Sequence, residues 1–145
     1  MDAKVSAVLK HKGYRVVTIT LRQTIASVVE VLNQNRIGAA PVVSEDGQLV
    51  GMISERDIIR GLAEQAEALL ALPVERLMTR EVKTCSSGDR LVDIMEVMTV
   101  HRIRHLPVVE NGALHGIISI GDVVKQRLEE VQSEVEELHR YIRSP

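Results

Sequence analysis

The chain repeats itself, and this repeat constrains the fold more than any other feature of the sequence. When the sequence is shifted by 66 residues, residues 16–43 align with residues 82–109, and nine of the 28 aligned pairs are identical. Past one deletion the shift becomes 65, and residues 47–60 align with residues 112–125 with six identities in 14 pairs. Self-similarity of this kind indicates a duplicated structural unit. We therefore expect two copies of one fold, and each motif is compared with its counterpart in the other copy.

Both copies predict the same order of elements, β-α-β-β-α, which makes the fold class α/β (α+β). Apolar residues fall at helical spacing in the helices, and turns at residues 45–47 and 110–112 favour a hairpin in each copy. The predicted elements are strands at 16–19, 39–43 and 49–53 with a helix at 24–35, and strands at 82–85, 106–109 and 114–118 with a helix at 90–101. Closing helices are expected to begin at Ser54 and Ser119. A copy of ~60 residues buries little surface alone, so we expect the two to pack about a pseudo-twofold axis with clefts between them.

Several segments lie outside this core pattern. Residues 61–72 are rich in alanine and leucine and predict a helix that Pro73 ends. The apolar residues Val5, Val8 and Leu9 resemble Val74, Leu77 and Met78, so a short helix is expected to lead into each copy. We assign residues 1–72 to the first repeat with its N-terminal helix, residues 73–128 to the second repeat and residues 129–145 to a C-terminal amphipathic helix extension.

The C-terminal segment carries an apolar seam at coiled-coil spacing, which predicts a long helix. The seam, with intervals of four and three residues, consists of Val124, Leu128, Val131, Val135, Leu138 and Ile142. Pairing of this helix with its copy in a second subunit would give a homodimer. The alternative is an amphipathic helix that lies back on its own domain.

Composition argues against several classes of function. With 18 basic and 20 acidic residues, the net charge of −2 provides no positive excess for nucleic acid. Cys85 is the single cysteine, which excludes an intrachain disulfide and a multi-cysteine metal cluster. No apolar run approaches the ~20 residues that span a bilayer, and the first residues lack a signal-peptide pattern. We expect a cytoplasmic protein that binds neither nucleic acid nor membrane.

Two pairs of motifs resemble those of tandem CBS (cystathionine-β-synthase-type) domains in stand-alone bacterial proteins. The motifs are Ile37-Gly-Ala-Ala-Pro-Val-Val43 with Gly51-Met-Ile-Ser-Glu-Arg-Asp57, and Ile103-Arg-His-Leu-Pro-Val-Val109 with Gly116-Ile-Ile-Ser-Ile-Gly-Asp122. The resemblance covers nearly the whole chain, from about residue 5 to about residue 128. It implies a regulatory module that binds an adenosine compound, with AMP favoured over ATP, NAD or S-adenosylmethionine. It also implies an effector protein that receives the signal, and no catalysis or catalytic cofactor.

The two Ser-x-x-Asp sequences, Ser54 to Asp57 and Ser119 to Asp122, allow two interpretations. A serine before a helix caps free N–H groups, and an acid at the third helical position interacts favourably with the helix dipole. In the family pattern, the aspartate accepts hydrogen bonds from two ribose hydroxyls, and the serine lies near the ribose or phosphate. The roles are compatible, because a carboxylate offers only acceptors and a vicinal diol donates twice.

The resemblance implies that each cleft joins the Ser-x-x-Asp of one copy to strand starts of the other. One cleft has Ser119 and Asp122 with Thr18, Ile37, Gly38 and Ala39, and the other has Ser54, Arg56 and Asp57 with Thr84, Ile103, Arg104 and His105. Pro41 and Pro107 are further predicted ligand-binding residues. At the places matching Arg56, Arg104 and His105, the other cleft has Gly121, Gly38 and Ala39. The Asp57 cleft is therefore predicted to be the stronger phosphate site. The alternative is that Arg104 and His105 are solvated charges at the start of a strand.

Other constellations carry less weight. His101 and His105 have the spacing of a metal-binding pair, but a helix ends at the first and a strand begins at the second, with no third ligand nearby in sequence. Cys85 matches Ile19 of the first copy, which indicates a packed strand position, and the sequence nominates no base to activate it. We predict no catalytic residue and no metal site. The rival functions are a structural dimerisation or scaffold protein with degenerate clefts, and a small nucleotide enzyme whose turnover would have to be shown.

Overall fold

Helices and strands alternate along the chain as the repeat predicts. The computed structural model describes residues 3–143. In chain order the elements are α1 (Val5–Lys12), β1 (Ile19–Thr20), α2 (Ile25–Asn35), β2 (Ala39–Val43), β3 (Leu49–Ser54), α3 (Glu55–Gln65), α4 (Leu91–His101), β4 (His105–Glu110), β5 (Ala113–Ser119) and α5 (Ile120–Arg143). Two 3-10 helices, Ala66–Ala71 and Val74–Arg76, lie between α3 and α4. The mixed α/β class, the repeated order and the long C-terminal helix are confirmed.

The first strand of each copy is shorter than predicted. β1 pairs in parallel with β2, and β2 pairs antiparallel with β3, whereas β4 and β5 form the equivalent hairpin. Ile19 pairs with Val42, and Cys85 forms a single parallel bridge to Val108 at the positions related by the 66-residue shift. The strand expected at 16–19 is therefore wrong in extent, and the strand expected at 82–85 is reduced to the single bridge at Cys85. Only Ile19 and Cys85 are buried there, and the residues before them are at least partly exposed and join no ladder.

Helices α2 and α4 end in the same way. The residues that follow them, Arg36 and Arg102, have φ angles of 53° and 54°, in the left-handed region. The next N–H groups then reach back, so that Ile37 donates to the carbonyl oxygen of Leu32 (3.0 Å) and Ile103 to that of Met98 (3.0 Å). This pattern satisfies carbonyl groups at the helix end and directs the chain into β2 or β4.

Contacts divide the chain into two compact units, each with an aliphatic core. The first unit comprises residues 15–84 and 109–115, and the second comprises residues 3–14, 85–108 and 116–143. The first core consists of Ile19, Ile25, Val28, Leu32, Ala40, Val42, Ile53, Ile58, Leu69, Val74 and Met78. The second consists of Val5, Val8, Leu9, Cys85, Leu91, Ile94, Met98, Leu106, Val108, Ile118 and Val123.

We define a lead-in segment as the stretch that directly precedes a copy in the sequence: residues 3–9 precede the first copy, and residues 72–78 precede the second. Each core contains the lead-in segment that precedes the other copy. Residues 3–9 pack in the core of the second copy, and residues 72–78 pack in the core of the first. Equivalent backbone bonds hold both: Val5 N–H to Asp89 O (2.9 Å), Leu91 N–H to Ala3 O (2.9 Å), Val74 N–H to Gln23 O (2.8 Å) and Ile25 N–H to Leu72 O (2.9 Å). The duplicated sequence therefore places the lead-in segments equivalently.

The lead-in helix expected in both copies forms fully only once. α1 is an α-helix of eight residues, whereas the second lead-in segment forms only the 3-10 helix Val74–Arg76. Beyond it the chain pairs with β3, because Thr79 and Met52 exchange backbone hydrogen bonds of 2.8 and 2.9 Å. An α-helix continuing through Thr79 would lose this pairing.

The helical structure predicted for residues 61–72 is confirmed over residues 61–71, but it is divided between two helices. α3 ends at Gln65, Ala66 adopts a φ of 50°, and residues 66–71 form a 3-10 helix. The chain turns back so that Leu69 is fully buried. A Cβ atom on Gly61 would lie 2.9 Å from Leu69 Cδ1, which shows how closely the returning segment packs on α3. Within residues 3–143, no helix is both long and apolar enough to cross a membrane.

Gly51 and Gly116 allow the lead-in segments to approach the return strands. A Cβ atom on Gly51 would lie 2.6 Å from Met78 Sδ and 3.0 Å from the carbonyl oxygen of Thr79. A Cβ atom on Gly116 would lie 2.8 Å from Cδ2 of Leu9, the equivalent lead-in position. In both copies, the glycine therefore leaves room for an apolar side chain of the lead-in segment.

We expect Gly51→Ala to lower the free energy of unfolding by about 1–3 kcal/mol, because the added methyl group overpacks a buried contact that includes a backbone oxygen. Urea unfolding measures the change. Gly88→Ala is the control, since a Cβ atom there meets nothing within 4 Å. Equal effects of the two substitutions would contradict this account of Gly51.

Candidate functional site at the Ser-x-x-Asp helix starts

The two Ser-x-x-Asp sequences form equivalent capping arrangements. The N–H of Asp57 donates to Ser54 Oγ (3.3 Å), and the N–H of Ser54 donates to Asp57 Oδ2 (3.0 Å). In the second copy, the N–H of Asp122 donates to Ser119 Oγ (3.2 Å), and the N–H of Ser119 donates to Asp122 Oδ2 (2.9 Å). The helix-cap interpretation is confirmed by these bonds. A ligand-binding role of the same aspartates stays a prediction.

The carboxylate of Asp57 is held through one of its two oxygens. Oδ2 also accepts a hydrogen bond from Ser54 Oγ (3.1 Å), and within residues 3–143 Oδ1 accepts none. The side chain is partly buried at the start of α3. A carboxylate oxygen has two lone pairs. The fixed carboxylate of Asp57 can therefore accept two further hydrogen bonds through Oδ1.

Each helix start also contacts the strand start of its own copy. The N–H of Glu55 donates to the carbonyl oxygen of Gly38 (2.9 Å), and the N–H of Ile120 donates to that of Arg104 (2.8 Å). Ala39 and Ser54 are paired residues of β2 and β3. Within one unit, the structure therefore places Gly38 and Ala39 beside Glu55 and Ser54 at the start of α3. In the other unit, it places Arg104 beside Ile120 at the start of α5.

The sequence predicted that these groups also combine across copies, and that combination stays a prediction. The remaining predicted site residues differ in exposure. Pro41 and Pro107 are buried in β2 and β4, whereas Thr18, Thr84, Arg56 and Arg104 are exposed. No hydrogen bond or ion pair is found for the Arg56 or Arg104 side chain within the described part of the chain.

Lys12 distinguishes Asp122 from Asp57. The Nζ atom of Lys12 donates to Asp122 Oδ2 (2.7 Å) and to the carbonyl oxygen of Ile117 (2.9 Å). The side chains of Lys12 and Asp122 are 33% and 25% exposed, so water screens this ion pair only partly. Burial raises the pKa of the Asp122 carboxyl, but the hydrogen bond from Lys12, the bonds from Ser119 and the lysine charge outweigh it. The pKa of Asp122 therefore lies below its ordinary value of 3.8.

The sequence interpretation missed Lys12. The pairing of Leu9 with Met78 in the lead-in segments places Glu81 at the position that matches Lys12. A reversal of charge between matching positions was the available signal. This signal was weak, because α1 extends to Lys12 whereas the second lead-in segment forms only a short 3-10 helix. The repeat did not predict this difference in helix length.

A surface cavity of about 540 Å³ lies in the first unit, between the end of α2 and the start of α3. Its lining includes the predicted residues Ile37 and Gly38 but neither Ser54 nor Asp57. The full lining is Val29, Leu32, Asn33, Arg36, Ile37, Gly38, Glu55, Ile58 and Ile59. The proposed diol-binding carboxylate therefore does not line this cavity.

The other candidate chemical groups have structural positions. Cys85 is buried, and its N–H donates to the carbonyl oxygen of Pro107 (3.0 Å), as expected for a packed strand residue. His101 ends α4 and His105 begins β4, as the repeat predicted. Across residues 3–143, no group of three or more His, Cys, Asp or Glu side chains is arranged to hold a metal ion.

Comparison with known proteins identifies the family. The model of the CBS domain matches residues 5–64 and 74–129. The "CBS domain-containing protein CBSX3, mitochondrial" of Arabidopsis thaliana is 34% identical over 146 residues, covering 95% of this chain and 71% of that protein. The crystal structure of the CBS-domain containing protein ATU1752 from Agrobacterium tumefaciens has a TM-score of 0.84 and 42% identity, covering 88% of this chain and 95% of that one. The family resemblance inferred from the motifs is confirmed.

Two similar structures contain adenosine compounds. The CBS domain protein PAE2072 from Pyrobaculum aerophilum is complexed with AMP, and it has a TM-score of 0.72 and 33% identity over 82% of this chain and 88% of that one. The CBS domain pair of protein MJ0100 is in complex with 5′-methylthioadenosine and S-adenosyl-L-methionine. Its TM-score is 0.76 and its identity 26%, over 85% of this chain and 98% of that one.

The depressed pKa of Asp122 predicts a loss of stability in acid. A lowered folded-state pKa adds stability above the ordinary aspartate value, and this contribution disappears as the pH falls through the folded-state pKa. We expect the advantage of the wild type over Asp122→Asn in urea unfolding to be constant above about pH 5 and to shrink below about pH 4. In a Lys12→Met background this pH-dependent part should be smaller. The same pH dependence with and without Lys12 would contradict the role of the ion pair.

Proposed function

Because the chain belongs to the CBS domain family, we propose that it is a regulatory module that binds an adenine nucleotide and transmits the bound state to an effector protein, without catalysis of its own. The observation that carries this proposal is the carboxylate of Asp57, which is fixed by Ser54 through Oδ2 and retains Oδ1 as an acceptor. The AMP complex of the Pyrobaculum protein supports AMP as the favoured ligand. ATP, NAD and S-adenosylmethionine are the alternatives.

The ribose of the nucleotide matches the chemistry of Asp57. Its two neighbouring hydroxyls are donors, and Oδ1 offers two lone pairs, so both hydroxyls can donate to one carboxylate. Hydrogen bonds to an ionised acceptor are stronger than those between neutral groups. Since Ser54 already fixes the orientation of the side chain, little rotamer freedom remains to be lost on binding.

For the phosphate we propose Arg56, Arg104 and His105. The two arginine side chains are exposed, and within residues 3–143 no internal ion pair engages them. A phosphate therefore has no such pair to displace. Arginine suits this role because its planar guanidinium can donate two parallel hydrogen bonds to phosphate oxygens. The backbone N–H groups at the start of a helix favour the same negative charge.

We also propose that the protein forms a homodimer through α5. The six seam residues, Val124, Leu128, Val131, Val135, Leu138 and Ile142, are between 41% and 75% exposed. Their spacing continues over about three heptads, which suits a second helix of the same periodicity. A second copy of α5 supplies such a helix. The alternative, that the seam lies back on its own domain, is not favoured by the exposure of all six residues.

The rival to nucleotide sensing is a scaffold whose Ser-x-x-Asp sequences serve only as helix caps. The capping bonds support that function as well as this one. The unengaged oxygen of Asp57 is compatible with both functions, and the complexes of similar proteins with adenosine compounds favour sensing. Sensing further requires that the ligand-free and ligand-bound forms differ in free energy toward the effector.

We expect Asp57→Asn to weaken the binding of AMP and adenosine alike, by about tenfold or more, because both ligands lose a charged acceptor for the ribose. Arg104→Ala should weaken AMP by a similar factor and leave adenosine unchanged, since only AMP has a phosphate. Titration calorimetry with both ligands measures the four affinities.

Asp46→Asn is the control for this experiment, because Asp46 is an exposed acid in the β2–β3 turn. Equal losses for AMP and adenosine in Arg104→Ala would remove Arg104 from the phosphate site. A wild type that unfolds cooperatively and binds none of AMP, ATP, NAD, S-adenosylmethionine and adenosine would establish the scaffold function instead.

We expect Val135→Asp to convert the dimer into a monomer, because a charge in the middle of the seam cannot be buried against a second helix. Sedimentation equilibrium at micromolar concentration measures the mass. Ser133→Asp is the matched control, since Ser133 is exposed on α5 outside the seam. A monomeric wild type would refute the pairing of α5.

A further inference from the structure

We propose that the α5 helices of two subunits pair in parallel, with Glu134 of each helix facing His139 of the other. The inference rests on the homodimer proposed above, and it adds the orientation of the pair and the residues that determine it. Parallel and antiparallel pairs can both bury the same six seam residues. The polar residues that flank the seam therefore decide between the two orientations.

The spacing of the seam gives each flanking residue of α5 a position in the coiled-coil heptad. The seam alternates between the two inner positions, with d at Val124, Val131 and Leu138 and a at Leu128, Val135 and Ile142. The flanking residues are Arg127, Glu134 and Tyr141 at g, and Lys125, Gln132 and His139 at e. The three e residues are exposed, and Glu134 is half-buried. These side chains therefore lie beside the surface that a second helix would cover.

A parallel pair joins groups that attract each other. In this orientation, a g residue faces the e residue five positions further along the other helix. Glu134 then faces His139, and its carboxylate can accept a hydrogen bond from an imidazole N–H, which is stronger than a bond between neutral groups. The twofold symmetry of a homodimer forms this contact twice. No two like charges meet among the flanking residues.

An antiparallel pair can bury the whole seam in only one register. Val124 must lie opposite Ile142 of the second copy, and Val131 must lie opposite Val135. A slip by one heptad in either direction leaves apolar residues at one end of each helix without partners. The charges of the antiparallel pair are therefore determined by this register.

The antiparallel register brings like charges together. In this orientation g residues face g residues and e residues face e residues. The Glu134 carboxylates of the two copies then meet near the centre of the pair, and Lys125 meets His139 of the second copy. Like charges on facing helical positions are destabilising, and His139 loses the carboxylate that it faces in the parallel pair.

Arg127 contributes little to either orientation. Its guanidinium already donates to Glu130 Oε2 (2.7 Å), and Glu130 is only 9% exposed. The residues that Arg127 would face are Gln132 in the parallel pair and Tyr141 in the antiparallel pair, and both are neutral. The choice of orientation therefore depends on the other charged residues that flank the seam, above all on Glu134.

The orientation determines where the second copies of the ligand motif lie in the dimer. Ser119 and Asp122 are at the start of α5. Parallel pairing places this helix start of both subunits at the same end of the pair, and both C-terminal ends at the other. An effector that contacts the first turns of α5 can then meet both subunits at once.

The test introduces Val124→Cys and Ile142→Cys into one full-length chain. In a parallel pair each new cysteine meets its own copy, whereas an antiparallel pair joins position 124 to position 142. Equal positions would then lie ~27 Å apart at 1.5 Å per residue, too far for a disulfide. Mild oxidation, trypsin digestion and mass spectrometry identify the links, and we expect links between equal positions. Ser133→Cys is the control for random collision, since Ser133 is exposed outside the seam, and it should form no link.

A charge variant of the two-cysteine protein tests the role of Glu134. Glu134→Gln removes an attraction from the parallel pair and a repulsion from the antiparallel pair. We therefore expect the ratio of 124–142 links to links between equal positions to rise roughly two- to fivefold. Glu136→Gln is the matched control, because Glu136 is exposed on α5 outside the flanking positions, and it should leave the ratio unchanged. An unchanged ratio with Glu134→Gln would refute the role of that carboxylate.

Sedimentation equilibrium of the unoxidised proteins distinguishes failure of the orientation from failure of the homodimer. Links between positions 124 and 142 in a dimer would overturn the parallel orientation while the homodimer stands. A dimer that forms neither kind of link would refute the pairing of α5. If the double variant is monomeric, Ile142→Cys alone gives the answer, because a link to its own copy requires the parallel pair. A monomeric wild type would refute the homodimer and the orientation together, whereas nucleotide binding at Asp57 depends on neither.

Discussion

The close approach of a lead-in segment to a glycine of the return strand is the contact on which both units depend. Leu9 packs where a side chain on Gly116 would stand, and Met78 packs where one on Gly51 would stand. The contact allows Leu9 and Met78 to be buried in the two cores, and backbone hydrogen bonds hold the same segments in place. In the second unit it also brings Lys12 within reach of Asp122. The same helix therefore packs Leu9 against Gly116 and carries the lysine that pairs with Asp122.

Much of the fold could be predicted because the duplication doubles each local signal. Helices α2 and α4, strand β2 and both hairpins lie at or within a residue or two of the predicted positions, since apolar spacing and turn residues agree in the two copies. The errors arose where tertiary contacts decide the local structure. Ala66 interrupts a sequence of strong helix formers because Leu69 must return to the core. β1 has only two residues, and residues 16–18 pair with no other strand.

The part of the candidate site that depends on local sequence could also be predicted. The Ser-x-x-Asp spacing sufficed to locate the helix starts, and their hydrogen bonds follow from local geometry alone. Lys12 was not predictable, because its partner is 110 residues away and no local pattern relates them. Duplication therefore preserved the capping geometry, whereas substitutions around it made the copies unequal. Lysine opposes glutamate at one matching position, and arginine opposes glycine at another, Arg104 against Gly38.

Each lead-in segment packs with the copy that does not directly follow it, so the order of synthesis affects when each core can form. α1 leaves the ribosome before any residue of the core that it joins, which extends from Cys85 to Val123. Until that stretch has been made, Val5, Val8 and Leu9 have no partners from that core to bury them. Nascent chains that expose such surface are prone to aggregation and are substrates for chaperones. If the ribosome pauses between the two copies, the apolar side chains of α1 therefore stay unburied until the second copy is translated.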